Sequence, residues 1–591
     1  MRNKIFKVAL VLMSTGLLYS QTCELPPASA WSADTLTNKL AASVAFGLTP
    51  KGDAFIAEMI TGKIKLYKAD TKETIDLGKV DDALYVDAGG VIENGLLGVT
   101  PDPNYETNKW IYALYSRKMS EKSTTDCRKP TVYDHKIYLV RFSVIDNKLA
   151  NPKTLFTFQR WSTSHAAGGL TFDTKGNLFV STGDDSNPFS TNGKYGPRGA
   201  QEGCKGRPIE EVAGVNAQLS ASNTNDLRGK ILRIRPIAFA NSLNPAEGPG
   251  STYDIPVGNL YPVGTAKTRP EIYTMGHRNP YRMRVDSVTG WVMIGEVGPD
   301  ASGKRNNEPR GHDEFNLAKA PGNFGWPYAN ANNQAYRVQD LKEGDYTVGN
   351  HFDLQNLKNK HPDNTGLVDL PPATSALGWY NAGNTQTGIQ KSFGSGGESA
   401  IGGPRYWYNS IGVASRMPAY FQGKFIVGDW VRRKLWVLDV DATGTLKKVE
   451  NFRPDGKGGA MQEPHSPIDM DLGPDGVLYV LYTGGRGYSG WKSGGSLVRY
   501  EYTGTQYSAA SCGDKIVIPV AISKRNSGKS TLTKLYAQLD NQSITLSEGV
   551  KQVRAFNLKG EEVYHSGDVS NQNKLKLPNY IKGMVYLRFI K

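Results

Sequence analysis

The feature that most constrains this chain is a recurring unit: an apolar strand, a tight polar turn, a second apolar strand, then a third strand further on. Residues 44–58 carry it around Thr49-Pro50-Lys51-Gly52-Asp53, residues 169–181 around Asp173-Thr174-Lys175-Gly176, and residues 468–480 around Gly473-Pro474-Asp475-Gly476. Turn residues between two alternating apolar runs make a hairpin. Third strands read at 62–67, 229–234 and 433–438. A small sheet of this kind has two faces to bury and cannot do so alone, whereas radial stacking of copies buries both. The chain holds 65 Gly and 30 Tyr, which fits many turns and aromatic-rich strands. The reading is all-β, a propeller whose repeat is interrupted by long loops at 185–225 and 328–400. Long loops on a rigid ring are where binding sites sit.

The repeat ends near Arg499-Tyr500-Glu501-Tyr502. Polar residues 512–533 read as a linker, and residues 534–591 as a small C-terminal β-sandwich-like domain, with a hairpin at 553–564 and a closing strand at 583–589. At the other end, Arg2, Lys4 and Lys7 precede an apolar run at 8–19, the pattern of a secretory signal peptide over 1–22. No other run is long and apolar enough to span a bilayer. Export permits disulfides. Of the four cysteines, Cys23 and Cys512 flank the propeller, 23–511, and a ring brings its ends together, so Cys23–Cys512 is the expected clasp. Cys127–Cys204 is the second expected pair, with free buried thiols as the alternative. The net charge of +14 is interleaved with acidic residues and forms no basic stripe, which argues against nucleic acid as a partner.

Three blocks carry candidate chemistry. The first is Ser164-His165-Ala166-Ala167-Gly168-Gly169, leading into a hairpin that ends in Gly183-Asp184. The second is Gly276-His277-Arg278-Asn279-Pro280. The third runs from Gly295-Glu296-Val297-Gly298-Pro299-Asp300 through Gly311-His312-Asp313-Glu314 to Gly325-Trp326-Pro327, and Glu93-Asn94-Gly95-Leu96-Leu97-Gly98 belongs with them. Over residues 40–502 these blocks resemble the soluble pyrroloquinoline-quinone glucose dehydrogenases and the wider glucose/sorbosone dehydrogenase family. The last 60 or so residues resemble C-terminal sorting domains of type IX secretion cargo.

The first resemblance implies a six-bladed propeller that oxidises an aldose or related sugar at its anomeric carbon, with pyrroloquinoline quinone (PQQ) and calcium as cofactors. A separate carrier then takes the electrons, since no haem-attachment motif is present. His165 matches the base that removes the C1 hydroxyl proton, a role an imidazole suits. Arg233 matches an Arg that polarises the quinone carbonyls. The carbonyls of Gly298 and Pro299 match calcium ligands. Asp313 is a further metal candidate, while Glu314 reads as a brace and His277 and Arg278 as organisers of the Asn279-Pro280 turn. Glu93 lies in the cofactor pattern. Basic residues that hold the quinone's carboxylates in relatives fall on Val431 and near Ser466 and Ile468, which leaves Arg405, Arg432 and His465 as substitutes. The second resemblance implies secretion machinery or a cell-surface anchor as a partner. An exported carbohydrate- or surface-binding propeller without redox chemistry is the alternative reading.

Overall fold

The computed structural model describes residues 24–80, 83, 93–120, 134–161, 164–186, 217–237, 248–299, 309–342, 345–361, 363–407, 417–454, 466–484 and 494–504, together with short stretches between 516 and 590. The segment 1–22, all four cysteines and His465 lie outside the described residues.

Six four-stranded antiparallel blades form the ring. Strand β1 (Trp31–Leu40) belongs to the last of them. The first blade is β2 (Ser43–Leu48), β3 (Ala54–Glu58), β4 (Lys63–Tyr67) and β5 (Thr74–Lys79). The second is β6 (Leu96–Pro101), β7 (Trp110–Ser120), β8 (Asp134–Ile145) and β9 (Lys148–Arg160). The third is β10 (Ala167–Phe172), β11 (Leu178–Thr182), β12 (Lys230–Pro236) and β14 (Ile272–Met275), with β13 (Tyr253–Asp254) added beside β12. The fourth is β15 (Pro280–Val285), β16 (Val292–Glu296), β17 (Asp313–Ala318) and, after a long arm carrying short strands β18 to β22 between Gly322 and His351, β23 (Gly378–Tyr380). The fifth is β24 (Ala400–Ile401), β25 (Phe425–Asp429), β26 (Lys434–Val440) and β27 (Leu446–Phe452). In the sixth, β28 (Ser466–Leu472), β29 (Leu478–Thr483) and β30 (Gly495–Tyr502) are completed by β1, paired antiparallel from Trp31 opposite Tyr502 to Leu40 opposite Gly495. The N-terminal strand therefore closes the ring. Trp31 fastens it edge-on against Phe421, Phe452 and Tyr502, with centroids 5.3–5.6 Å away.

The repeat seen in the sequence has a local cause. In several of the hairpin turns, the first residue turns its side-chain oxygen onto amides two and four residues later. Asp173 accepts from the Lys175 and Asn177 amides, Asp441 from Thr443 and Thr445, and Thr49 from Lys51 and Asp53. These side chains offer the turn the hydrogen bonds that its backbone cannot make internally.

Inner strands meet around the axis, and two arginines on β15 bolt them together. Arg282 donates to the carbonyls of Val44 in the first blade and Leu97 in the second. Arg284 reaches Asp469 in the sixth at 2.8 Å, and the other oxygen of Asp469 accepts from the Phe46 amide at 3.1 Å. All three charged side chains are buried.

Among the described residues no helix is long and apolar enough to cross a membrane. Beyond the ring, Gln552–Phe556 pairs with Glu562–His565 on one side and with Tyr586–Ile590 on the other. A second small sheet begins at Ile516–Val517, inside the stretch read as linker. That short apolar pair finds a strand partner in Gln538–Asp540 despite its polar surroundings.

Candidate active site

His165 sits where the chain enters β10, with φ of +56°. A left-handed backbone is costly for a non-glycine residue and persists only where its surroundings dictate it. Those surroundings are the end of β11: a Cβ on Gly183 would lie 1.7 Å from the His165 carbonyl, so only glycine allows the approach. The close contact brings Asp184 beneath the imidazole. Its Oδ1 lies 2.7 Å from His165 Nδ1 and accepts the Ser186 amide at 2.9 Å, while Oδ2 accepts the Trp326 indole N–H at 2.8 Å. Asp184 is buried. Desolvation alone would raise its carboxyl, but the charge and hydrogen bond of His165, then Arg278 and the Ser186 amide, hold it below the usual carboxylate range. An ionised Asp184 takes the proton on Nδ1 and leaves Nε2 bare. Among the described residues Nε2 has no hydrogen-bond partner. The arrangement is that of a base aimed by a carboxylate.

The next block closes on the same point. Asn279 receives the Ala167 amide on its Oδ1 at 3.0 Å and donates from Nδ2 to the Glu93 carboxylate at 3.1 Å. Glu93 in turn accepts the Ala166 amide at 2.9 Å. Arg278 donates to the Val297 carbonyl at 2.9 Å, and its own carbonyl accepts from the Asp184 amide at 2.7 Å. Glu93 and Asn279 also line a pocket that opens to solvent. Its other walls are apolar or aromatic, with Val44, Met59, Ile401 and Ile468 facing Tyr281 and Trp430, and Ser399 and Thr483 as polar points. The walls come from several blades, so the ring itself shapes the pocket.

Val297 also lines it, which places the Val297-Gly298-Pro299 turn at its edge. A Cβ on Gly298 would lie 1.8 Å from the His312 carbonyl, so the turn needs glycine there. Asp313 accepts the Gly298 amide at 2.9 Å with one oxygen and the Ala400 amide at 2.6 Å with the other. Desolvation, then the charges of Glu398 and Asp429, push the Asp313 carboxyl well up. Asp313 therefore joins the turn to the fifth blade.

Residues 40–351, more than half of the chain, match the family described as Glucose / Sorbosone dehydrogenase. The chain belongs to the glucose/sorbosone dehydrogenase family. It is 23% identical over 396 residues to the aldose sugar dehydrogenase YliI of Escherichia coli, covering 66% of this chain and 83% of that protein. It is 25% identical over 305 residues to quinoprotein glucose dehydrogenase B of Acinetobacter calcoaceticus, covering 50% of this chain and 54% of that protein. Among solved structures, the soluble aldose sugar dehydrogenase from Escherichia coli in the apo-form aligns at a TM-score of 0.48 and 19% identity, over 80% of this chain and 99% of that one.

Within this family member the structure brings together His165, Glu93 and the Gly298-Pro299 turn, and it gives three expected site residues other work. Arg233 stands three residues along β12 from Lys230, which pairs with Thr182 beside Gly183. At the usual rise that is roughly 10 Å from the end that faces His165. Its guanidinium donates to Asn259 at 2.7 Å and to the Val257 carbonyl at 3.0 Å, and lies over the Tyr273 ring at 4.7 Å. Arg405 is buried with Asp286 and the Gly423 and Val440 carbonyls. Arg432 donates to the carbonyls of Gly397, Phe393, Gly394 and Asn381, which occupies nearly all of its five N–H groups. Neither is free to clasp a carboxylate.

Asn279 and Asp184 are the residues that the sequence reading passed over, although both stand in the quoted blocks, and Arg278, read as an organiser of the turn, also lends its charge to Asp184. His277 does organise the turn, through Glu296 at 2.7 Å and Thr274 at 2.9 Å. Glu314 is a brace as expected, holding the Ala331 amide and sharing the Asn316 amide with Glu296. Desolvation, then the Glu296 charge, pushes its carboxyl up to about 8 from an ordinary value of 4.5. Between those values the folded protein holds a proton that the unfolded chain has released, so stability falls as pH rises through the window. Melting temperatures measured from about pH 6 to about pH 9 are expected to fall more steeply for the wild type than for Glu314→Gln. Parallel curves would show that Glu314 carries no such proton.

Proposed function

We propose that this propeller oxidises an aldose or related sugar at C1 with PQQ and calcium, and that His165 is its base. The observation that supports this most directly is the His165–Asp184 pair, held at 2.7 Å and joined to the pocket wall through Glu93 and Asn279, which accept the Ala166 and Ala167 amides. The pocket suits a flat heteroaromatic group: aromatic and aliphatic walls for its faces, Asn279, Ser399 and Thr483 for its polar edge. The Gly298-Pro299 turn offers carbonyl oxygens, the ligand type calcium takes, with the Asp313 carboxyl bonded to the Gly298 amide behind it. PQQ, when bound, supplies the two-electron acceptor for the C1 hydride. His165 Nε2 takes the C1 hydroxyl proton, Asp184 holds the ring and balances the imidazolium, and the sugar leaves as its lactone. Asn279 and Glu93 fix the 165–167 backbone against the pocket, and Arg278 supplies positive charge beside Asp184. Export and a separate electron carrier complete the reading, with secretion or surface machinery as the partner of the C-terminal domain.

A second reading, a carbohydrate-binding propeller without redox chemistry, is favoured by one observation: the described pocket walls include no Lys or Arg to hold a tricarboxylate. Dye reduction by protein loaded with PQQ and calcium, over a panel of aldoses, separates the two. The oxidation reading expects sugar-dependent reduction that chelation of calcium abolishes. Sugar binding with no reduction under any loading would favour the second.

A further inference from the structure

We propose that Trp326 is a positioning residue of this site: from an arm outside the third blade, its indole N–H locks the Asp184 carboxylate and, through it, the His165 ring. The two oxygens of Asp184 have separate duties. Oδ1 serves His165 Nδ1 at 2.7 Å and the Ser186 amide at 2.9 Å, and among the described residues Oδ2 receives only the Trp326 Nε1–H, at 2.8 Å. A carboxylate turns easily about its last torsion. With Oδ1 alone held, its plane would be free to tilt and the imidazole with it. The Trp326 bond comes from the other side and fixes that plane.

The donor is itself firmly seated. Trp326 is buried, and a buried indole has one polar atom, which must find an acceptor. Here the acceptor is ionised, the stronger class of hydrogen bond. The Trp326 amide donates to the Gly276 carbonyl at 3.0 Å, next to the His277-Arg278-Asn279 run. Its ring packs edge-on against Tyr336 at 6.1 Å, in a small apolar cluster with Ala217 and Ala221. Trp326 lies 142 residues from Asp184 in sequence, on the arm between β17 and β23, so the seating of that arm is coupled to the aim of the base.

Only the kinetic part of the test rests on the oxidation reading. Trp326→Phe keeps the ring and removes the donor. In the protein without cofactor, the Nδ1–H resonance of His165, assigned with His165→Asn, is expected to move upfield and exchange faster in Trp326→Phe. In protein loaded with PQQ and calcium, kcat is expected to fall roughly tenfold with the sugar KM unchanged. Trp326→His, which retains a ring N–H, is expected to recover part of the loss. A lower melting temperature with an unchanged His165 resonance would mean a packing role alone and would overturn the proposal. If Trp326→Phe does not fold, Tyr336→Leu, which loosens the indole without touching Asp184, is read by the same resonance and with the same two outcomes. A wild type that reduces no dye with any sugar would sink the oxidation reading, and the resonance would still decide this proposal.

Discussion

Asp184→Asn is expected to lower sugar-dependent turnover on the order of 10³–10⁴-fold while PQQ affinity changes little. Among the described residues the carboxylate has three donors to satisfy: His165 Nδ1–H, the Ser186 amide and the Trp326 indole. An amide has one oxygen. If that oxygen faces Trp326, the NH₂ group meets the Ser186 amide and turns Nδ1 into an acceptor, which places the ring proton on Nε2, where the sugar's proton has to go. If the oxygen faces His165, the NH₂ group opposes the indole N–H in a buried space, and a buried unmet donor costs about 1–3 kcal/mol. Both arrangements also lose the negative charge that balances the imidazolium. Steady-state dye reduction gives kcat, and His165→Ala sets the floor. A loss under tenfold in Asp184→Asn would show that His165 works without its carboxylate.

The second large effect concerns the ring and not the site. Asp469→Ala is expected to destabilise the protein by about 3 kcal/mol, because it takes from the buried Arg284 the more deeply buried of its two carboxylate partners and leaves the Phe46 amide without its acceptor. Arg282, 3.9 Å from the same carboxylate, loses a favourable charge as well. Asp471 is the natural comparison. It also meets Arg284 at 2.8 Å, but its side chain is 32% exposed, so water can replace what a substitution removes. Asp471→Asn is expected to cost about 1 kcal/mol or less. Urea unfolding of the two variants should separate them clearly. Equal losses would mean that the axial arginines do not bind the blades through Asp469. The paired change Arg284→Met with Asp469→Leu should restore much of the loss, since an apolar pair of similar volume needs no partner charge.

The blades were legible in the sequence because several hairpins carry their own turn chemistry within five residues, as at Thr49 and Asp173. The closing strand β1 was not legible, since its partner β30 lies more than four hundred residues away and only the ring brings them together. At the site, His165 could be read from its motif. Asp184 stood in the same block without a role, because its meeting with His165 depends on the glycine contact at Gly183, a three-dimensional fact. Arg278 and Asn279 read as a turn, yet the Arg278 carbonyl accepts the Asp184 amide and the Asn279 side chain donates to Glu93, contacts between blades that no local pattern announces. The arginine readings failed for one shared reason. A guanidinium that holds a ligand and one that holds backbone carbonyls look alike in sequence, and Arg233, Arg405 and Arg432 are of the second kind.

The most direct test of the account is calorimetric titration of the purified protein with PQQ, with calcium present and with calcium chelated. The account predicts tight binding that depends on calcium and weakens in Asn279→Ala, which loses the side-chain amide that joins the pocket wall to the Ala167 backbone. No binding at ligand concentrations of roughly tens of micromolar, far weaker than a resident cofactor requires, would contradict it.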